Sequence, residues 1–150
     1  MRPIKTSLAA LTRVAFIGLL SVIAVTIVGC GEAPTGRVPL HSVQGQITFK
    51  GQPIPGAFVT FHPKIAQEGV PTPWASVSNT GSFMLSTFNS SDGAPAGDYV
   101  VTVQWYKPIG KGADVVAGPN VIPRKYTATS TSDINVRIAS GDNQLSPIGL

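Results

Sequence analysis

The sequence predicts an all-β fold: an antiparallel β-sandwich of about seven strands over residues 41–150, preceded by a cleaved signal peptide. Three observations carry this prediction. From His41 onward apolar and polar residues alternate with a period of two, as in strands that bury one face. Groups of Gly, Pro, Asn and Asp interrupt the alternation at the spacing of about 8–12 residues that sandwiches show. Nowhere after His41 do apolar residues recur at helical spacing over the length of a helix.

In chain order, residues 1–13 carry Arg2, Lys5 and Arg13 and no acid, and residues 14–28 carry no charge at all. These are the basic and apolar regions of an export signal. A transmembrane helix needs about 20 consecutive apolar residues, more than this run supplies. It ends in Ile27-Val28-Gly29-Cys30, which resembles the lipobox of bacterial lipoproteins, in which the cysteine receives a diacylglycerol and the signal is cut in front of it. Cys30 is the only cysteine, so no disulfide can form within the chain; a buried or redox-active thiol is the alternative reading. One acyl chain holds a protein to a bilayer only marginally, whereas the two or three of a processed lipoprotein anchor it stably. The resemblance therefore implies residues 1–29 as signal peptide, lipid on Cys30, and an extracytoplasmic position. Gly31 stands where an Asp retains some lipoproteins at the inner membrane, so the outer membrane is favoured over the inner.

The signal also accounts for the charge. Of the formal +4, three positive charges sit in residues 1–13, which leaves eight basic and seven acidic residues after Gly29. Those eight are scattered, with Arg124-Lys125 the one adjacent pair, so nothing recommends nucleic acid as a partner. Residues 30–40, the lipidated cysteine and a polar stretch punctuated by Pro34, Gly36 and Pro39, read as a tether. Extended, its ten residues after Cys30 hold the domain at most about 30–35 Å from the lipid.

Val43, Gly45, Ile47 and Phe49 form one face of the first strand, and Gly51-Gln52-Pro53 turns it. Ala57, Val59 and Phe61 then alternate with Phe58, Thr60 and His62. Trp74–Ser78 and Ser82–Phe88, joined by Asn79-Thr80-Gly81, read as a β-hairpin. A polar loop over residues 89–97 leads into the strongest strand, Tyr99–Tyr106, with Tyr99, Val101, Val103 and Trp105 on one face and Tyr106 on the other. Residues 108–123, rich in Gly and Pro, read as a long loop. Ile134–Ile138, a turn at Gly141–Asn143 and a short strand near Leu145, limited by Pro147, complete the set.

Val43–Phe61, with its Gly-Gln-Ile-Thr-Phe-Lys-Gly-Gln-Pro-Ile-Pro-Gly-Ala core, resembles the opening of carboxypeptidase regulatory-like domains, the transthyretin (prealbumin)-like sandwiches found in bacterial exported proteins. Asn79-Thr80-Gly81-Ser82-Phe83 resembles that family's Asp-x-x-Gly-x-Phe turn, with Asn79 in place of the acid. Pro95-Ala96-Gly97-Asp98-Tyr99-Val100-Val101-Thr102-Val103 resembles its Pro-x-Gly-x-Tyr-x-Val-x-Val strand. Pro123–Tyr126 and Gly141–Asn143 look like a short-lipoprotein subgroup of it. The likeness implies a prealbumin-like fold across residues 43–143 and specifies no activity.

The residue inventory argues against catalysis. The two histidines, His41 at the tether junction and His62 at a strand end, have no evident partner, and no nucleophile-elbow glycines surround any serine. A hydrolase of the transthyretin-related type would end in a Tyr-Arg-Gly-Ser-like motif; this sequence ends Ser-Pro-Ile-Gly-Leu. Zinc or iron sites want three or four His, Cys or carboxylate ligands. Calcium has oxygen-bearing candidates in Asn89, Asp92 and Asp98, residue types that turns also require. Trp74, Tyr106 and Tyr126 are the candidate aromatic binding residues, alongside Trp105. The expectation is a module without enzyme activity or cofactor, which contacts an envelope protein or cell-wall component. A ligand-binding module for glycan, peptide or calcium is the alternative, and a hydrolase the third class.

Overall fold

The computed structural model describes residues 38–150, in which the alternation lays out two main β-sheets around one core. The signal, the lipobox Ile27-Val28-Gly29-Cys30 and most of the tether lie outside the described residues.

Strand β1 (Leu40–His41) opens the domain and leads into β2 (Val43–Phe49), the strand around which one sheet is built. Val43, Gly45 and Ile47 are buried, while Gln44 and Gln46 face solvent. Lys50 and Gly51, both at positive φ, reverse the chain into β3 (Gln52–Pro53), which pairs back onto β2. The chain then crosses to the second sheet as β4 (Phe58–Pro63), with Val59 and Phe61 buried and Phe58 exposed. β5 (Trp74–Ser76) pairs antiparallel with β4, β6 (Ser82–Met84) pairs antiparallel with β2, and β7 (Ala94–Pro95) pairs with β1.

β8 (Gly97–Gln104) runs antiparallel to β4 from Pro63↔Tyr99 to Phe58↔Gln104. Its inward face, Tyr99, Val101 and Val103, is the one the alternation predicted. The Tyr99 hydroxyl donates to the Pro95 carbonyl at 2.7 Å, so the buried phenol does not go unsatisfied. Beyond Trp105 come β9 (Tyr106–Ile109) and β10 (Val116–Asn120), then β11 (Asn135–Ile138) on the outer side of β8. β12 (Asn143–Gln144) and β13 (Ile148–Gly149) lie beside β2. One sheet thus has the order β11-β8-β4-β5, and the other gathers β12, β13, β3 and β6 on β2. Phe61 joins them, its ring 6.1 Å from those of both Phe83 and Tyr99.

Three sequence expectations are corrected. The count is thirteen β segments among the described residues, not about seven, because short pairings of two residues stitch the ends of the sheets. The pairing is not wholly antiparallel: β12 and β13 run parallel to β2. After β11 the chain turns at residues 139–142, where the Asn143 side chain accepts from the Ala139 N–H at 2.9 Å and donates to the Gly141 carbonyl at 2.9 Å. It thereby enters the other sheet at the start of β2. The predicted 74–88 hairpin is present, closed by backbone hydrogen bonds between Ser78 and Ser82 and between Trp74 and Ser86, but its middle opens so that β5 pairs with β4 and β6 with β2. Residues 108–123 contain a hairpin, β9–β10, with a 3₁₀ turn at Gly112–Asp114. Gly118 permits it, because a Cβ there would lie 2.4 Å from the Lys107 carbonyl oxygen.

The two ends of β8 differ. Beside its start β1 clips onto β7, and Gly141 N–H donates to His41 Nδ1 at 3.0 Å. Past its other end Trp105 Nε1 donates to the Pro55 carbonyl at 2.9 Å, and Asn120 Oδ1 accepts from the N–H groups of Trp105 and Ile122 at the root of the hairpin. Eight strand residues, about 25 Å, separate them.

Candidate functional site: the Trp74 groove

Strand β5 alternates Trp74 out, Ala75 in, Ser76 out, and β6 alternates Ser82 out, Phe83 in, Met84 out. Because the two strands belong to different sheets, their outward residues face each other across a concavity of about 310 Å³ floored by Phe83. A second concavity of about 240 Å³ adjoins it on the side of Phe88 and Asn89, and Trp74, Ser86 and Ser90 line both. Trp74 is 46% exposed, and Phe58, Met84 and Phe88 are exposed to a similar degree. The Phe58 and Trp74 rings lie 6.0 Å apart and tilted. Phe58 occupies β4 next to the Thr60↔Trp74 pair, which is why the two rings meet on the outer face.

The loop that forms one wall is closely held. Trp74 and Ser86 exchange two backbone hydrogen bonds, at 3.0 and 2.9 Å. Ser86 Oγ accepts from the Ser91 N–H at 2.8 Å and so holds Ser91 at φ +57, a left-handed conformation that non-glycine residues rarely adopt. The Asp92 carboxylate accepts from the N–H groups of Thr87 at 2.6 Å, Asn89 at 2.6 Å and Phe88 at 3.0 Å. Partial burial pushes its carboxyl upward, but these three N–H groups outweigh that and hold it below its ordinary value of 3.8.

Asp92 is thus engaged as the cap of its own loop. Asp98 stands on β8, its carboxylate 3.8 Å from Arg137 Nη1, and Asn89 lines the second concavity. Among the described residues no three His, Cys, Asp or Glu side chains gather as a metal site needs. His41 accepts from Gly141, and His62 Nε2 lies 2.9 Å from Thr102 Oγ1. Burial pushes the His62 imidazole below its ordinary value of 6.5, so it stays neutral at neutral pH.

Asp92→Ala is expected to destabilise the domain by about 2 kcal/mol at neutral pH, since three N–H groups lose a charged acceptor. The carboxyl is held lower in the folded chain than in the unfolded one. Its contribution is therefore full above 3.8 and disappears as pH falls through the folded value. Urea titrations of both proteins at neutral pH and below 3.8 should show the gap between them closing with acid.

The three candidate aromatics are not assembled into one platform. Trp74 lines the groove; Tyr106, 43% exposed, sits at the base of the β9–β10 hairpin. Tyr126 is half-buried in a 3₁₀ turn, with Lys125 Nζ 4.6 Å from its ring centroid. The residues that do accompany Trp74 were not singled out in the sequence. Phe58, Met84 and Phe88 carry a signal nonetheless, each being apolar at an outward position of its own alternation.

No family model matches the sequence, and no curated protein is similar to it. Two solved structures resemble the fold. One is a DUF3823 family protein from Parabacteroides merdae ATCC 43184, at TM-score 0.39 and 14% identity over 73% of this chain and 45% of that one. The other is a 9R-lipoxygenase from Cyanothece PCC8801, at TM-score 0.39 and 11% identity over 74% of this chain and 16% of that one. The chain thus spans less than half the length of either structure.

Proposed function

We propose that this chain is an exported lipoprotein, lipidated at Cys30 after cleavage behind Gly29, whose domain is a non-catalytic binding module of the carboxypeptidase regulatory-like, prealbumin-like type. It works at the cell envelope, on the outer membrane in preference to the inner, and contacts a component of the wall or another envelope protein. The observation that carries the binding reading is the Trp74 groove, whose two concavities are lined by the exposed Trp74, Met84 and Phe88, with Phe58 exposed beside Trp74, next to a loop fixed by backbone and carboxylate bonds. Large apolar side chains grouped on a surface mark interaction sites. The lipid reading rests on the basic and apolar regions followed by Ile27-Val28-Gly29-Cys30.

The test is metabolic labelling with a clickable fatty acid, comparing the natural chain with Cys30→Ala and locating both by fractionation. Label in the natural chain alone, recovered with membranes, is the expected result. An unlabelled natural chain overturns the lipoprotein reading.

A further inference from the structure

The geometry points to a neutral saccharide as the ligand of the Trp74 groove, an assignment that rests on reading the domain as a binding module. The chemistry of the walls selects this class. A sugar ring presents a patch of C–H groups on one face and hydroxyls around its rim. The exposed Trp74 face offers the first a flat apolar surface whose π-electrons attract C–H hydrogens. Ser76, Ser86 and Ser90 offer the second short hydroxyls that both donate and accept. Among the described residues the Ser76 and Ser90 side chains make no hydrogen bond, whereas Ser86 Oγ is engaged with Ser91.

Charge and backbone narrow the choice further. No Lys, Arg, Asp or Glu lines either concavity, so neither an anionic nor a cationic ligand would find a counter-charge there. An extended peptide adding itself as a strand needs unpaired N–H and C=O groups along an edge. At Trp74 both groups are already bonded to Ser86. The two concavities share Trp74, Ser86 and Ser90, a layout that suits consecutive sugar units of a chain passing over the indole. With about 310 Å³ the larger stands at the lower end of the range of about 300–1,000 Å³ for small-molecule sites.

The full chain is purified from whichever cell fraction holds it, in a detergent without a sugar headgroup, and titrated with cellohexaose, chitohexaose, xylohexaose and maltohexaose. Tryptophan emission is read in a Trp105→Phe background, which leaves Trp74 as the sole reporter. A saturable change with at least one oligosaccharide is expected. By calorimetry, Trp74→Ala and Ser90→Leu should each weaken that binding by about tenfold or more, with circular dichroism and thermal midpoint close to those of the parent. The inference is overturned if no oligosaccharide gives a saturable response, or if binding survives both substitutions. It is equally overturned if a photo-crosslinker at position 76 yields protein adducts alone in intact cells. Fractionation and fatty-acid labelling report on the anchor independently, so loss of one reading leaves the other open to judgement.

Discussion

Phe61→Ala is expected to lower the free energy of unfolding by about 3–5 kcal/mol, and the thermal midpoint by about 15–25 °C. Phe61 is completely buried, and its ring lies against Phe83 from the sheet built on β2 and Tyr99 from its own sheet. Removing it deletes apolar contacts on both sides and leaves a void that rigid strands cannot close, so the cost of the cavity adds to the cost of lost burial. Phe58→Ala supplies the comparison. It removes the same atoms from the same strand, but from an outward position that is 46% exposed, and should cost about 1 kcal/mol or less. Denaturant melts of the two variants that show equal losses would mean that the two sheets do not share a core across β4.

Gly93→Ala should be the second most damaging change, at about 2–4 kcal/mol. Gly93 adopts φ +90, and a Cβ placed on it would stand 2.0 Å from the His41 carbonyl oxygen and 2.6 Å from its carbon. These are backbone atoms of β1, with no rotamer by which to move aside. The chain can relieve the overlap by parting β1 from β7 or by shifting the loop that Asp92 caps, and either breaks hydrogen bonds. Gly56→Ala separates the two causes, because Gly56 also has positive φ, at +75, yet has nothing within 4 Å of the added carbon. Only backbone strain, about 1–2 kcal/mol, is expected there. Hydrogen exchange should further show lost protection at β1 and β7 in Gly93→Ala and not in Gly56→Ala. Indistinguishable exchange in the two would rule out the steric account.

What the sequence revealed follows from the range of the forces involved. The inward faces Val43/Ile47, Ala57/Val59/Phe61 and Tyr99/Val101/Val103 were legible because alternation is a local consequence of strand geometry. The partner of each strand was not legible, since alternation is the same whichever sheet receives it. The segment from Trp74 to Phe88 shows this well. Its turn residues and its period suggest the hairpin that the Ser78–Ser82 and Trp74–Ser86 bonds close, but not that its middle opens toward Ala57 and Ile47, distant in sequence, in two different sheets. The β9–β10 hairpin was hidden for a different reason. Its glycines and prolines suit loops in general, and only the close approach of Gly118 to Lys107 makes them suit this pairing.

The site was half legible on the same grounds. Trp74 drew attention as a large aromatic, and so did Tyr106 and Tyr126, which the fold sends to other surfaces. The opening in the middle of the hairpin is what makes the groove, since it sets the outward side of β5 opposite that of β6. A sequence reading confined to single strands cannot see a feature that exists only between two sheets.

β1 lies beside the start of β8, and the β9–β10 hairpin departs past its other end. Ile109, Val115 and Val116, all more than half exposed, are thereby carried at the end of β8 remote from β1. The domain thus has two unlike poles: one is tied down by strand pairing, and the other presents an oily fingertip to solvent.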